Sequence, residues 1–194
     1  MKNYKKIEEL LRPIYKHQYT NRVYPYNDQN HASPDTIIFH SGHEKYAFLS
    51  NFYPCSVVDE GIQFSHVEGA FQAAKVDDPE ERKRFINVTP QAAKKMGGAR
   101  GKYRMNHERL KRWISGEENG EEYGERVEVM RRLIQEKFRH PCLRQALLDT
   151  GEAQLVERLP RFPDSFWGTK KDGSGQNMLG RLLMEERKRL SMIM

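Results

Sequence analysis

Two apolar stripes constrain the fold most. Val67, Ala70, Phe71 and Ala74 recur at helical spacing, and Val127, Met130, Ile134 and Phe138 keep the same period until Pro141 stops the run. Stripes of this kind must be buried against other elements, and the chain supplies several. Residues 3–18 place Ile7, Leu10, Leu11 and Ile14 on one side of a helix kinked near Pro13. Segments 79–86 and 90–96 open with Pro79 and Pro90 in a first helical turn, and 142–150 is closed by Gly151. Residues 178–190 form a last helix, with Asn177 as its natural N-cap.

Strand signals are fewer: TIIFH at 36–40, a short hairpin of 56–59 and 62–64 around Glu60 and Gly61, and a brief strand at 155–157. The expectation is an α+β fold, mostly helical. It is a single domain of packed helices at 36–194 with a small early β-sheet or hairpin, preceded by an N-terminal helix and linker at 1–35. The glycine- and glutamate-rich run at 116–125 reads as a surface insertion.

Composition narrows the class. With 37% hydrophobic and 31% charged residues, the chain reads as soluble and globular, and no apolar run approaches a bilayer span. The N-terminus is basic but contains acidic residues and lacks an apolar core, so no secretory signal is read and a cytoplasmic setting is expected. Cys55 and Cys142 lie outside any CxxC motif, which suits a reducing compartment. His40 and His43 form an HxxH without a second ligand pair, so no metal is expected. The net charge of +6 favours an anionic partner, either nucleic acid or a phosphorylated small molecule. The basic clusters are interleaved with acids, however, as solvated helix faces usually are.

Three stretches can carry chemistry, each with a plain alternative. In FSHVEGAFQAAK, residues 64–75, Glu68, Gln72 and Lys75 repeat the helical spacing beside the apolar stripe. At ~1.5 Å rise per residue, Glu68 and Lys75 stand roughly 10 Å apart along the axis, enough to bracket a ribose. Alternatively, Ser65 and Glu68 form a capping box and Lys75 merely favours the helix dipole. In FLSNFYP, Phe48 and Phe52 offer stacking faces and Ser50 and Asn51 offer polar edges, or the aromatics simply pack a core turn. Residues 164–177 run through glycines into a helix, with Trp167 as a stacking wall and backbone amides able to hold an anion. This last stretch has neither P-loop nor Rossmann spacing.

FLSNFYP, the Gly61 hairpin, VEGAFQAAK, the Lys137-Phe138 pair, LLDTGEAQLVE, DSFWG, DGSGQNMLGRLLM and Arg187 follow one another between Phe39 and Leu190. In that order they resemble the NADAR family of YbiA-like N-glycosidases. The resemblance implies hydrolysis of a bond between ribose and an amine, without a cofactor. Its implied substrates are phosphoribosylamino-pyrimidine intermediates of riboflavin biosynthesis or, in another branch, ADP-ribose on guanine in DNA or RNA. A module that binds ADP-ribose-like ligands without turnover is the third reading.

The resemblance also assigns roles by matched position. Glu68 protonates or positions the leaving amine. Lys75 attacks C1 of the ring-opened sugar as a neutral amine, or else clamps the sugar electrostatically. Asp164 orients water or binds ribose hydroxyls. Phe52 and Trp167 sandwich the base, and Phe48, Ser50, Asn51 and Asn177 contact the ligand. Gly168 and the 173–177 loop take phosphate. Lys137 is either a phosphate contact or a plain helix-face lysine. The chain departs from the pattern at Gly69, where the family usually has His, at Thr169-Lys170-Lys171, and around Trp113, which receives no role.

Overall fold

The computed structural model describes residues 36–115, 123–159 and 164–193. The expected helix at 3–18, its linker and most of the 116–125 insertion lie outside these residues. In chain order the elements begin with β1 (Thr36–Phe39), a 3-10 turn at Ala47–Leu49, β2 (Pro54–Asp59) and β3 (Ile62–His66). Then come α1 (Val67–Ala73), α2 (Pro79–Arg82) with a 3-10 turn at Lys83–Phe85, α3 (Pro90–Gly97), α4 (His107–Ile114) and α5 (Glu125–Lys137). The chain closes with α6 (Pro141–Leu148), β4 (Gln154–Glu157) and α7 (Met178–Ser191). Seven helices and two two-stranded sheets among the described residues make this an α+β fold dominated by helix. None of these helices is long and apolar enough to cross a membrane. Contacts gather the described elements into two compact units: one within Pro54–Lys137, and a second made of the described residues of 36–53 together with those from Phe138 onward.

The Pro54–Lys137 unit starts with the hairpin. Glu60 (φ 47°) and Gly61 (φ 79°) are both left-handed, which is what a two-residue turn needs to match the twist of its strands. Pairing runs further than the apolar pattern suggests. His66 pairs with Pro54 across an irregularity between Pro54 and Val57, so Ser65 and His66 are strand and α1 starts at Val67. Every residue of α1 is buried, against β3, α3 and α5. A helix enclosed on all sides has to satisfy its polar members internally.

Around it, α2 and α3 carry proline at the start and are capped by Asp78 and Thr89, whose side chains accept from Glu80 N and Ala92 N. α4, capped by Asn106, is absent from the sequence reading because it buries only Trp113 and so shows no apolar stripe.

In the other unit, β1 and β4 are parallel, from Thr36 opposite Gln154 to Phe39 opposite Glu157. TIIF therefore does not join the hairpin. Parallel neighbours need a long crossover rather than a tight turn, so this pairing leaves no local trace. α7 packs on β4 and α6, and Arg187 Nη1 donates to Thr150 Oγ1 at 2.7 Å.

Candidate active site

The entry to α1 is set by His66. Its Nδ1 accepts from Gly69 N at 2.7 Å, and its Nε2 lies 2.8 Å from Val88 O. One nitrogen accepting and the other donating requires a neutral ring with the proton on Nε2. Burial holds its pKa below the ordinary imidazole value, against the opposing pull of the Val88 carbonyl. A Cβ on Gly69 would sit 2.9 Å from His66 Cε1 and 3.2 Å from Phe85 O, so the cap leaves no room for a larger residue there. The capping box that Ser65 and Glu68 offered as the alternative reading does not form. Ser65 Oγ donates to Ile86 O instead, and the cap comes one residue later.

That frees Glu68 for another partner. Gln72 Nε2 donates to Glu68 Oε1 at 2.8 Å, and Lys75 Nζ donates to Gln72 Oε1 at 2.7 Å and to Gly97 O at 3.2 Å. Amine, amide and carboxylate thus form a hydrogen-bonded row along α1, and Glu68 and Gln72 are only 6% and 4% exposed. Of the side chains expected on the flank of the buried face, Glu68 and Gln72 lie inside it and Lys75 is half-buried.

α4 completes the surroundings of Lys75. Trp113 packs on Phe71 with ring centroids 5.3 Å apart, and Lys75 Nζ lies 5.4 Å from the Phe71 ring and 5.9 Å from that of Trp113. Arg109 stacks on Trp113, donates to Ala74 O, and pairs with Glu125 and Asp77. Burial pushes the Lys75 pKa down from 10.5 to about 8; Glu68 works against this, and Lys94 adds to it. Desolvation of the ammonium outweighs the attraction of the carboxylate. At pH 7 about a tenth of Lys75 is then a neutral amine.

Lys137 ends α5 in the same unit and is 1% exposed. It is not a solvated helix-face lysine. Its charge reaches the Cys55 thiol, whose pKa burial raises while Lys137 opposes the rise.

The remaining predicted residues belong to the other unit. Ser50 Oγ accepts from Phe52 N at 3.2 Å, Ser50 and Asn51 are buried, and Phe48 and Phe52 are half-buried. Asp164 Oδ1 accepts from Phe166 N and Trp167 N, each at 2.9 Å, which folds the DSFWG turn. Phe166 and Trp167 meet edge to face. Gln176 N, Asn177 N, Met178 N and Leu179 N donate to the carbonyls of Ser165, Gly168, Phe166 and Trp167. The amides at the start of α7, expected to hold an anion, are therefore engaged by the preceding turn.

Asn177 (φ 50°) does not cap α7 with its side chain. Its Oδ1 accepts from Glu157 N and its Nδ2 donates to Leu155 O, clamping the loop to β4. Gly168 N donates to Asp164 O, and a Cβ there would lie 2.6 Å from Glu157 O. Lys170 and Lys171 remain exposed. Among the described residues no three His, Cys, Asp or Glu side chains gather as metal ligands would.

Sequence reasoning set Gln72 in the row without giving it a role, and it missed Gly97 and Trp113 as neighbours of Lys75. Gln72 carries the only local signal, its helical spacing between Glu68 and Lys75. Gly97 and Trp113 reach Lys75 through tertiary packing.

The family model of the NADAR domain matches residues 38–191. The N-glycosidase YbiA of Escherichia coli is 36% identical over 165 residues, covering 83% of this chain and 92% of that protein. A riboflavin biosynthesis protein of Vibrio vulnificus is 33% identical over 166 residues; the match spans 85% of this chain but only 41% of the Vibrio protein. The NMR structure of Escherichia coli YbiA superposes with a TM-score of 0.64 at 31% identity, covering 86% of this chain and 91% of that one.

Proposed function

Because this chain belongs to the NADAR family, we propose that it hydrolyses the N-glycosidic bond of a ribosylated amine, with Lys75 as nucleophile and Glu68 as proton donor. One observation carries this reading: Lys75 is half-buried, with its pKa lowered to about 8, and is joined to the Glu68 carboxylate through the Gln72 amide. A perturbed lysine bracketed by polar groups is the setting in which amines attack carbonyl-like carbons.

Opening of the sugar ring leaves an imine between C1 and the substrate nitrogen. Neutral Lys75 adds to C1. The added Lys75 nitrogen gives up its two protons in turn to the Glu68 carboxylate, which hands each to the substrate nitrogen; that nitrogen departs as the free amine and leaves C1 as an imine of Lys75. Water adds to that imine, the carbinolamine collapses, and the sugar leaves as its aldehyde with Lys75 regenerated. The net reaction consumes one water and yields amine and sugar.

The favoured substrate is a phosphoribosylamino-pyrimidine, in keeping with relatives named for riboflavin biosynthesis in Vibrio vulnificus and Zea mays. Lys137 contributes positive charge for the phosphate. A second reading, ADP-ribose on guanine of a nucleic acid, draws on exposed Lys170 and Lys171 beside the DSFWG turn. Purified protein offered both substrates separates them: ribose 5-phosphate released from the first or guanine restored in the second decides. Cleavage of neither, with ADP-ribose bound equally by wild type and Glu68→Ala, leaves a binding module. Borohydride added during turnover attaches the sugar mass to Lys75 if the imine forms.

A further inference from the structure

The row along α1 contains a residue to which the reaction above gives no step. We propose that Gln72 is a positioning residue: seated over Gly97, its amide spans the carboxylate of Glu68 and the amine of Lys75 and keeps them from closing into an ion pair. The proposal rests on the reading of Lys75 as nucleophile.

Three observations carry it. Gln72 is bonded on both sides, donating to Glu68 and accepting from Lys75, at 2.8 and 2.7 Å. Its orientation is fixed by chemistry, because an ammonium requires the carbonyl end and a carboxylate the NH2 end. Its place is fixed by packing. A Cβ on Gly97 would lie 2.3 Å from Gln72 Oε1 and 3.0 Å from its Cβ, so only glycine leaves the amide its seat. Gly97 O then accepts from Lys75 and holds the amine at the far end of the row.

A carboxylate in direct contact with a lysine raises its pKa, and a nucleophilic lysine needs the opposite. The charged groups facing Lys75 are Glu68 on its own helix, Lys94 on α3 and Arg109 on α4, the last engaged by Glu125 and Asp77. Gln72 lies between the amine and the one acid in this set that raises its pKa.

The test is the pH dependence of Lys75 labelling by trace acetic anhydride, read by peptide mass spectrometry on the full chain, since only the neutral amine reacts. Wild type is expected to reach half-maximal labelling near pH 8. Gln72→Glu, which places a charge against the amine, is expected to move the midpoint up by a unit or more, so labelling at pH 7 falls about tenfold. Gln72→Met, of similar length but with no amide to span the gap, moves it in the same direction and gives the reading if Gln72→Glu does not fold. Midpoints unchanged in a variant that keeps the wild-type circular dichroism overturn the proposal, as does a wild-type midpoint at the ordinary lysine value.

Labelling does not depend on turnover. A shifted midpoint in a protein that cleaves no substrate removes the glycosidase reading and leaves the role of Gln72 standing. Full cleavage with unmoved midpoints does the reverse.

Discussion

α1 and the turn that leads into α7 are both rich in polar groups, yet they use them in opposite ways. Along α1, Glu68, Gln72 and Lys75 are bonded side chain to side chain, and a lysine is left with a strongly lowered pKa. In residues 164–179, Asp164, Asn177 and four successive amides are bonded to backbone, and the result is a fixed loop. The lesson is that a glycine-rich loop entering a helix is no anion site once its own turn has paired the amides. A buried helix with an acid on it and an amine in the turn that follows keeps its chemistry available.

The comparison breaks first on the α1 residues. Glu68→Gln is expected to lower kcat by about 10²–10⁴-fold, and Lys75→Ala to abolish both turnover and the borohydride adduct, measured by product release and intact mass. If either variant turns over at the wild-type rate, α1 is scaffold as well. The pH profile sharpens the same point. With Lys75 lowered to about 8, kcat/KM rises about tenfold per unit of pH below that value and levels off above it. A flat profile between pH 6 and 8 denies Lys75 a nucleophilic role.

The loop side of the comparison predicts a stability effect. Asn177→Ala leaves Leu155 O and Glu157 N without their partners, at a cost of about 1–3 kcal/mol each. It should lower the urea midpoint while leaving Lys75 labelling unchanged; a variant as stable as wild type would show that the clamp on β4 is dispensable. The smallest expected effect is acid sensitivity at His66. Its folded pKa lies below the unfolded value, so its contribution is present above about pH 6.5 and is lost as pH falls below that. Urea midpoints between pH 7 and 5.5 should drop more in wild type than in His66→Asn, which stays neutral throughout.

Much of this was legible in the chain because it is local. The proline-led starts of α2 and α3, the Glu60-Gly61 turn and the stripes of α1 and α5 all depend on neighbours within a few residues. The site was legible in part. Glu68 and Lys75 stood out by residue type and spacing, whereas the start of α1 was misplaced because strand pairing with Pro54 carried Ser65 and His66 into β3. α4 escaped notice because it has a single buried residue, and the partner of β1 because it lies far along the chain.

By itself the sequence determined where most of the helices lie, and that an acid, an amide and an amine recur at helical spacing on one side of residues 68–75. Periodicity and short-range sterics suffice for that. Only the tertiary structure decided that this side faces inward, that Gly97 and Trp113 enclose the lysine, and that the amides before α7 are already paired. Desolvation and hydrogen-bond partnership depend on what packs against a residue, and packing brings together positions that are distant in the chain.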